Sequence, residues 1–234
     1  MGRLLAYARH EPAWNMAVDE AVLRHGTVPT LRLYGWSPPG ISLGRFQPGR
    51  MDIGALADAG LPLVRRMTGG GAIVHWHEVT YSMTVALDDP RLDGCDTEES
   101  YAVIHAPIRE ALQALGVATT GRGDGGHGRD GPVLCFDRAT PLDLVVAGRK
   151  LVGSAQRRVA GRVLQHGSIV LSTNPLQPGT AALDDLLSRT VPADEVARGV
   201  AECFDLAFGP LAKGDLTPVE RSFAEKMAPS YRFS

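Results

Sequence analysis

LDLVVAGRKLVGSAQRRVAGRVLQHGSIVL, residues 142–171, is the stretch from which the fold can be read. Leu142–Val146, Leu151–Arg158 and Val163–Leu171 read as three consecutive strands. Gly148-Arg149 reads as a tight hairpin turn between the first two, and Ala160-Gly161 as a second turn. Turns this short join antiparallel neighbours, so the stretch predicts a meander within a larger sheet.

Toward the N-terminus, Leu4–Ala8 reads as a strand and Trp14–His25 as a helix. Trp14, Ala17, Val18, Ala21 and Val22 recur on one helical face, and Gly26 stops it. Thr30–Tyr34 and Ile41–Phe46 are expected strands around the turn Ser37-Pro38-Pro39-Gly40. Asp52–Ala59 is a short helix capped by Asp52 and ended by Gly60. Leu63–Met67, Ala72–His75 and Thr80–Leu87 are further strands. The longest helix is expected over Thr97–Leu115, with Asp96 or Thr97 as cap, Glu98 and Glu99 at the positive end of the dipole, and a kink at Pro107. Residues 117–132, VATTGRGDGGHGRDGP, read as a mobile loop. After Gly179 the pattern is helical over Ala181–Ser188, Asp194–Phe208 and Pro218–Met227. The expected class is α+β: a mixed, mainly antiparallel sheet with packed helices, as one domain over residues 1–234.

Composition excludes several classes. Of 234 residues, 44% are hydrophobic and 21% charged, which is enough apolar surface for a core and argues against a disordered chain. The 24 Lys and Arg against 26 Asp and Glu leave a net charge of −2, without the global positive field of most nucleic-acid binders. No apolar run reaches the roughly 18 residues of a membrane span, and the N-terminus lacks a secretory apolar core. The expected location is cytoplasmic, with no nucleic-acid or membrane partner. Cys95, Cys135 and Cys203 are too few and too scattered for a disulfide framework or a zinc site.

Four segments hold residues suited to chemistry. In Arg65-Arg66-Met67-Thr68-Gly69-Gly70-Gly71-Ala72, three glycines let backbone N–H groups approach a ligand and two arginines bring charge. The pattern is neither a Walker loop nor a Rossmann fingerprint, and a plain Gly-rich turn with solvated arginines is the competing reading. His75-Trp76-His77-Glu78 would put two histidines on one face of a strand. Without a third ligand placed by sequence, no metal site is expected. Cys135, in Val133-Leu134-Cys135-Phe136-Asp137, is either a small buried apolar group or a nucleophile whose thiolate a nearby cation favours. Gly148 through Arg158 presents Lys150 ahead of the small run Gly153-Ser154-Ala155, which clears space for an extended ligand. Lys150 as a surface hairpin lysine is the alternative. Gln165-His166-Gly167-Ser168 on the next strand could lie beside that run, with His166 alone reading as a satisfied sheet histidine.

Taken in order, these segments resemble the biotin/lipoate protein ligase superfamily, in its lipoate ligase and octanoyltransferase branch. The pieces are Asn15 through Glu20, Gly44-Arg45-Phe46-Gln47, Arg65 through Ala72, Glu78-Val79-Thr80-Tyr81-Ser82, Cys135-Phe136, Gly148 through Arg158, and Gln165 through Ser168. They cover about residues 10–175. Cys135 precedes Lys150 by 15 positions, and Glu78-Val79 stands where ligases tend to carry Gly-Asn; both features resemble the cysteine-dependent octanoyltransferases. Trp76 departs from the family's usual Asp, and Thr140-Pro141-Leu142-Asp143-Leu144 from its Ser-x-Tyr-Glu-Leu. Both departures bear on substrate specificity.

The resemblance implies a reaction without cofactor. Octanoyl arrives as a thioester on acyl carrier protein, Cys135 takes it as an acyl-enzyme, and a lysine of a lipoyl domain removes it as an amide. Lys150 would favour the thiolate, polarise the carbonyl or shuttle a proton. Arg66, Gly69, Gly70, Gly71 and His75 would line the acyl site, with Ser154 and His166 as further candidates and Asp19 and Glu20 structural. Six buried methylenes would contribute about 5 kcal/mol. The alternatives are a lipoate-protein ligase, which would need ATP and Mg²⁺ and could dispense with Cys135, and a non-catalytic carrier-protein-binding domain.

Overall fold

The computed structural model describes residues 1–47, 58–121 and 142–232. These form eleven strands and five helices in the order β1 (Gly2–His10), α1 (Pro12–His25), β2 (Thr30–Trp36), β3 (Gly40–Leu43), β4 (Leu63–Arg65), β5 (Ile73–His75), β6 (Glu78–Ala86), α2 (Thr97–Ala114), β7 (Thr120–Gly121), β8 (Leu144–Val146), β9 (Arg149–Val159), β10 (Arg162–Val170), α3 (Leu183–Leu187), α4 (Ala193–Phe208), β11 (Leu211–Lys213) and α5 (Pro218–Tyr231). The large sheet has the order β11-β1-β2-β6-β10-β9-β8-β7. β1 pairs in parallel with β2 and β11, and the remaining neighbours are antiparallel. A mixed, mainly antiparallel sheet with packed helices is therefore what the chain forms.

The β8-β9-β10 meander is present, with its first turn one residue earlier than expected. Ala147 and Gly148 have φ of 49° and 75°, and Ala160 and Gly161 have φ of 50° and 74°. Both two-residue loops thus carry positive φ at both central positions, whose twist matches that of the flanking strands.

Alternation divides the large sheet into two unlike faces. Leu31 and Leu33 of β2, Val79, Tyr81, Met83 and Val85 of β6, and Val163 and Ile169 of β10 join one apolar core with α2 and α4. The register Arg32↔Ser82↔His166 and Tyr34↔Thr80↔Ser168 puts the polar residues on the other face, against α1. That face is buried too, because α1 lies across it and packs on α5. Hence α1 is buried almost all round, including Asn15, Asp19 and Glu20, and not only along its apolar stripe.

Other expectations shift. Ile41–Phe46 shortens to β3, which leaves the large sheet and pairs with β4 and β5 in a separate three-stranded sheet. α2 is capped by Asp96 in a reciprocal capping box with Glu99, and it includes Pro107. β7 converts the start of the 117–132 loop into a strand paired with β8. The rest of that loop, and residues 52–57 of the Asp52–Ala59 helix, lie outside the described residues. Ala181–Ser188 contracts to the five-residue α3, and β11 was not foreseen because three residues carry too little pattern. Among the described residues no helix is long and apolar enough to cross a membrane.

Candidate active site

Between α1, the small sheet and the polar face of the large sheet lies a narrow cavity of about 20 Å³, about the room a water molecule needs. Gly153 and Ala155 of β9 and Ser168 of β10 form its floor, since Gly153 pairs with Ser168 and Ala155 with His166. The small-residue run thus clears space where the sequence suggested.

Two buried polar assemblies hold the walls. In the first, Asp19 of α1 accepts from Arg32 Nη1 at 2.7 Å, Tyr34 Oη at 2.9 Å and His166 Nδ1 at 3.0 Å. Burial opposes ionisation of Asp19, but the His166 hydrogen bond and the Arg32 guanidinium outweigh it and hold the carboxyl below its ordinary value. On the other side of the ring, His166 Nε2 lies 2.7 Å from Thr68 Oγ1. His166 lines the cavity.

In the second, His75 Nδ1 donates to Glu78 Oε1 at 2.8 Å, and His75 Nε2 faces Ser42 Oγ at 2.7 Å. Thr80 Oγ1 and Ser168 Oγ donate to the same Glu78 oxygen at 2.6 and 2.8 Å. Burial would raise the Glu78 carboxyl, but His75 and the two hydroxyls outweigh it and hold it low. Burial lowers His75 against the pull of Glu78, with Arg66 adding to the effect, so the imidazole is a neutral base. Its ring stacks on Trp36 at 3.6 Å, and Trp36 Nε1 donates to Thr80 Oγ1 at 2.8 Å.

Arg66 is buried at the cavity wall. It donates to the Ser42 carbonyl at 2.9 Å, to Ser42 Oγ at 3.1 Å, and to the Gly69 and Gly71 carbonyls at 2.7 Å each. The arginine therefore shapes the glycine loop as well as lining the site. A Cβ on Gly44 would fall on the Gly70 carbonyl oxygen, so that loop seats only against a glycine.

Lys150 reaches the same face through a bulge. Val145 pairs with Lys150 and Leu144 with Val152, so β9 spends one extra residue between them. The alternation is reset, and Lys150 points opposite to Val152, toward the cavity side. Its Nζ is 2.8 Å from Asp143 Oδ2, and both side chains are buried. Lys150 is thus a buried ion-paired lysine and not a surface hairpin lysine, although it does not itself line the cavity.

Several expectations need correction or limit. Ser154 borders the cavity, but its hydroxyl turns to the opposite face, 2.7 Å from Tyr81 Oη and 2.9 Å from His105 Nε2. His75 and His77 do not share a strand face, because β5 ends at His75 and the following turn exposes His77. Cys135 lies outside the described residues. Cys203 is half-buried in α4, where burial pushes its thiol up. The sequence reading missed Tyr34, Trp36 and Ser42, and took in Thr80 and Ser168 only as parts of the segments Glu78–Ser82 and Gln165–Ser168. Thr80, Ser82 and Thr84 alternating with Val79, Tyr81, Met83 and Val85 was the available signal: a buried strand with one polar face implies a polar assembly beneath it.

The fold defines a class of domain that closes a small cavity between a polar sheet face, α1 and a glycine loop. The family described as the lipoyl protein ligase A/B catalytic domain matches residues 11–205, and the chain belongs to it. The octanoyltransferase LipM of Kyrpidia tusciae is 38% identical over 98% of this chain and 95% of that protein. Among solved structures, lipoate-protein ligase A bound with ATP superposes with a TM-score of 0.79 at 23% identity, covering 97% of this chain and 94% of that one. The bipartite lipoate protein ligase of Thermoplasma acidophilum, described with its E2 lipoyl domain, gives 0.75 at 22% identity over 97% and 92%. At these identities the two structures show the common fold.

Proposed function

We propose that the protein is an octanoyltransferase of lipoate biosynthesis, moving octanoyl from acyl carrier protein to a lysine of a lipoyl domain. The observation that carries this reading is the likeness to octanoyltransferase LipM along nearly the whole of both chains. The reading treats residues 1–234 as one catalytic domain working in the cytoplasm.

Cys135 takes the octanoyl group as a thioester in this reading. Its thiolate attacks the donor carbonyl, the carrier thiol leaves, and the acceptor lysine amine then displaces Cys135 to form the amide. Thioester to amide runs downhill, so no nucleotide or metal is required. The ion pair with Asp143 supports Lys150 as a fixed positive charge near the carbonyl end, the first of the roles its position allows. The small residues Gly153, Ala155 and Ser168 on its floor support this cavity, widened around the ligand, as the seat of the acyl tail. Arg66 would hold Gly69, Gly70 and Gly71 in the shape that the carbonyl end meets, and His75 and His166 would bound the chain.

The test is acceptor lipoyl domain incubated with two alternative acyl sources. With octanoyl-acyl carrier protein and no nucleotide, the acceptor gains one octanoyl group on lysine. Modification only from free octanoate with ATP and Mg²⁺ would assign the protein to the ligases instead.

A further inference from the structure

Ser42, His75 and Glu78 form a chain of contacts that takes no part in the bond-making of octanoyl transfer through Cys135. Ser42 Oγ is 2.7 Å from His75 Nε2, and His75 Nδ1 is 2.8 Å from Glu78 Oε1. Glu78 is a buried carboxylate that accepts from His75, Thr80 and Ser168, so it fixes the Nδ1–H tautomer and leaves the Nε2 lone pair toward the serine. Hydroxyl, base and orienting carboxylate thus stand in the geometry by which acyl-transferring serines are recognised on unrelated folds. Ser42 and His75 both line the cavity that the proposed function assigns to the acyl chain, and the inference rests on that reading. Arg66 Nη1, 3.1 Å from Ser42 Oγ, places a cation where negative charge would develop on an acyl carbonyl at that serine. Thr68, His166 and Asp19 show similar distances, but Thr68 does not line the cavity, so no acyl carbonyl meets its hydroxyl there.

We propose that Ser42, His75 and Glu78 are a second nucleophilic site, which accepts the acyl group of a medium-chain thioester or activated ester and hydrolyses it. Ser42 Oγ attacks the acyl carbonyl, forming a C–O bond while its proton passes to His75 Nε2. Collapse breaks the bond to the leaving thiol or phenol, which takes that proton from His75. Water then attacks the seryl ester and gives a proton to His75. Ser42 leaves as the alcohol, recovering that proton, and the carboxylic acid is released. Glu78 touches no reacting atom in this sequence: it positions His75. The activity would drain acyl groups that meet no acceptor amine.

The experiment uses full-length Cys135→Ala, so that no acyl group can pass through that thiol and failure of the transferase reading is scored separately. Its substrate is p-nitrophenyl octanoate, and its covalent probe is an alkyl fluorophosphonate. The expected result is turnover, with phosphonate mapped by mass to the peptide holding Ser42. Adding Ser42→Ala should reduce turnover about 100-fold or more and abolish the adduct. Ser42→Cys, a near-isosteric replacement, should instead trap a hydroxylamine-labile octanoyl adduct. Glu78→Gln should lower turnover about 10-fold or more with a changed pH profile, which loss of packing alone would not produce. In the Cys135→Ala protein the rate should fall on acidification only below the ordinary histidine value of 6.5, given that Glu78, Arg66 and His166 surround His75. No turnover by Cys135→Ala, turnover that survives Ser42→Ala, or phosphonate on another residue would overturn the proposal.

Discussion

Asp19 shows how much one side chain can carry at this site. It receives Arg32, Tyr34 and His166 while almost wholly buried, and it links α1 to β2 and β10. Removing one partner of a buried pair leaves the other charged and poorly solvated. Asp19→Ala should therefore lose about 3–5 kcal/mol in urea unfolding; a loss under about 1 kcal/mol would mean Arg32 finds other compensation. Gly167 illustrates the opposite constraint, room and not charge. A Cβ there would meet the Gly153 carbonyl at 2.7 Å and the Tyr81 ring at 2.8 Å. Gly167→Ala should cost about 1–3 kcal/mol by overpacking, measurable as a lowered unfolding midpoint. The sequence reading named Arg66, His75 and His166, because charged and aromatic polar residues stand out in apolar strands. It passed over Ser42, since a lone hydroxyl in a strand carries no such signal until the partner strand is known.

Among the elements, the β9 bulge and the β8-β9-β10 turns matter most to the site. Ala160 occupies a left-handed backbone position that costs a non-glycine residue roughly 1–2 kcal/mol. Ala160→Asn should recover part of that, about 0.5–1 kcal/mol, because asparagine tolerates this conformation; an unchanged or lower unfolding midpoint would refute the strain argument. Behind the same strands, α2 buries His105 against Ser154, and burial together with Arg109 lowers its imidazole to about 4. The unfolded chain then binds a proton below 6.5 that the folded chain refuses until about pH 4. Stability should therefore fall as pH drops across that window, by up to about 3 kcal/mol from this group. His105→Gln should flatten that part of the profile, and an unchanged slope would contradict the assignment. Hairpins and the capped α2 were legible because their signals are local: glycine-bearing turns, and a cap at Asp96 or Thr97 followed by Glu98 and Glu99. The bulge was not, since it exists only in the register between Leu144-Val145 and Lys150-Val152. For that reason Lys150 could be singled out but not oriented.

For the molecule as a whole, the layering explains why a cavity exists at all. One face of the large sheet is sealed by α2 and α4 with apolar side chains, while the other carries hydroxyls, carboxylates and histidines under α1. Separate sheets for β2 and β3 could not be read from chain order, because pairing across the Ser37–Gly40 turn is the default for neighbouring strands. The ordered motifs nevertheless located the family, since their spacing along the chain reflects strands that the fold gathers around one cavity. The central claim is covalent acyl transfer through Cys135, and it is tested most directly by intact mass. After incubation with octanoyl-acyl carrier protein without ATP, the protein should gain one octanoyl group that neutral hydroxylamine removes and that Cys135→Ala does not acquire. Octanoylation of a lipoyl domain by Cys135→Ala at the unmodified protein's rate, with no such adduct on either, would contradict it.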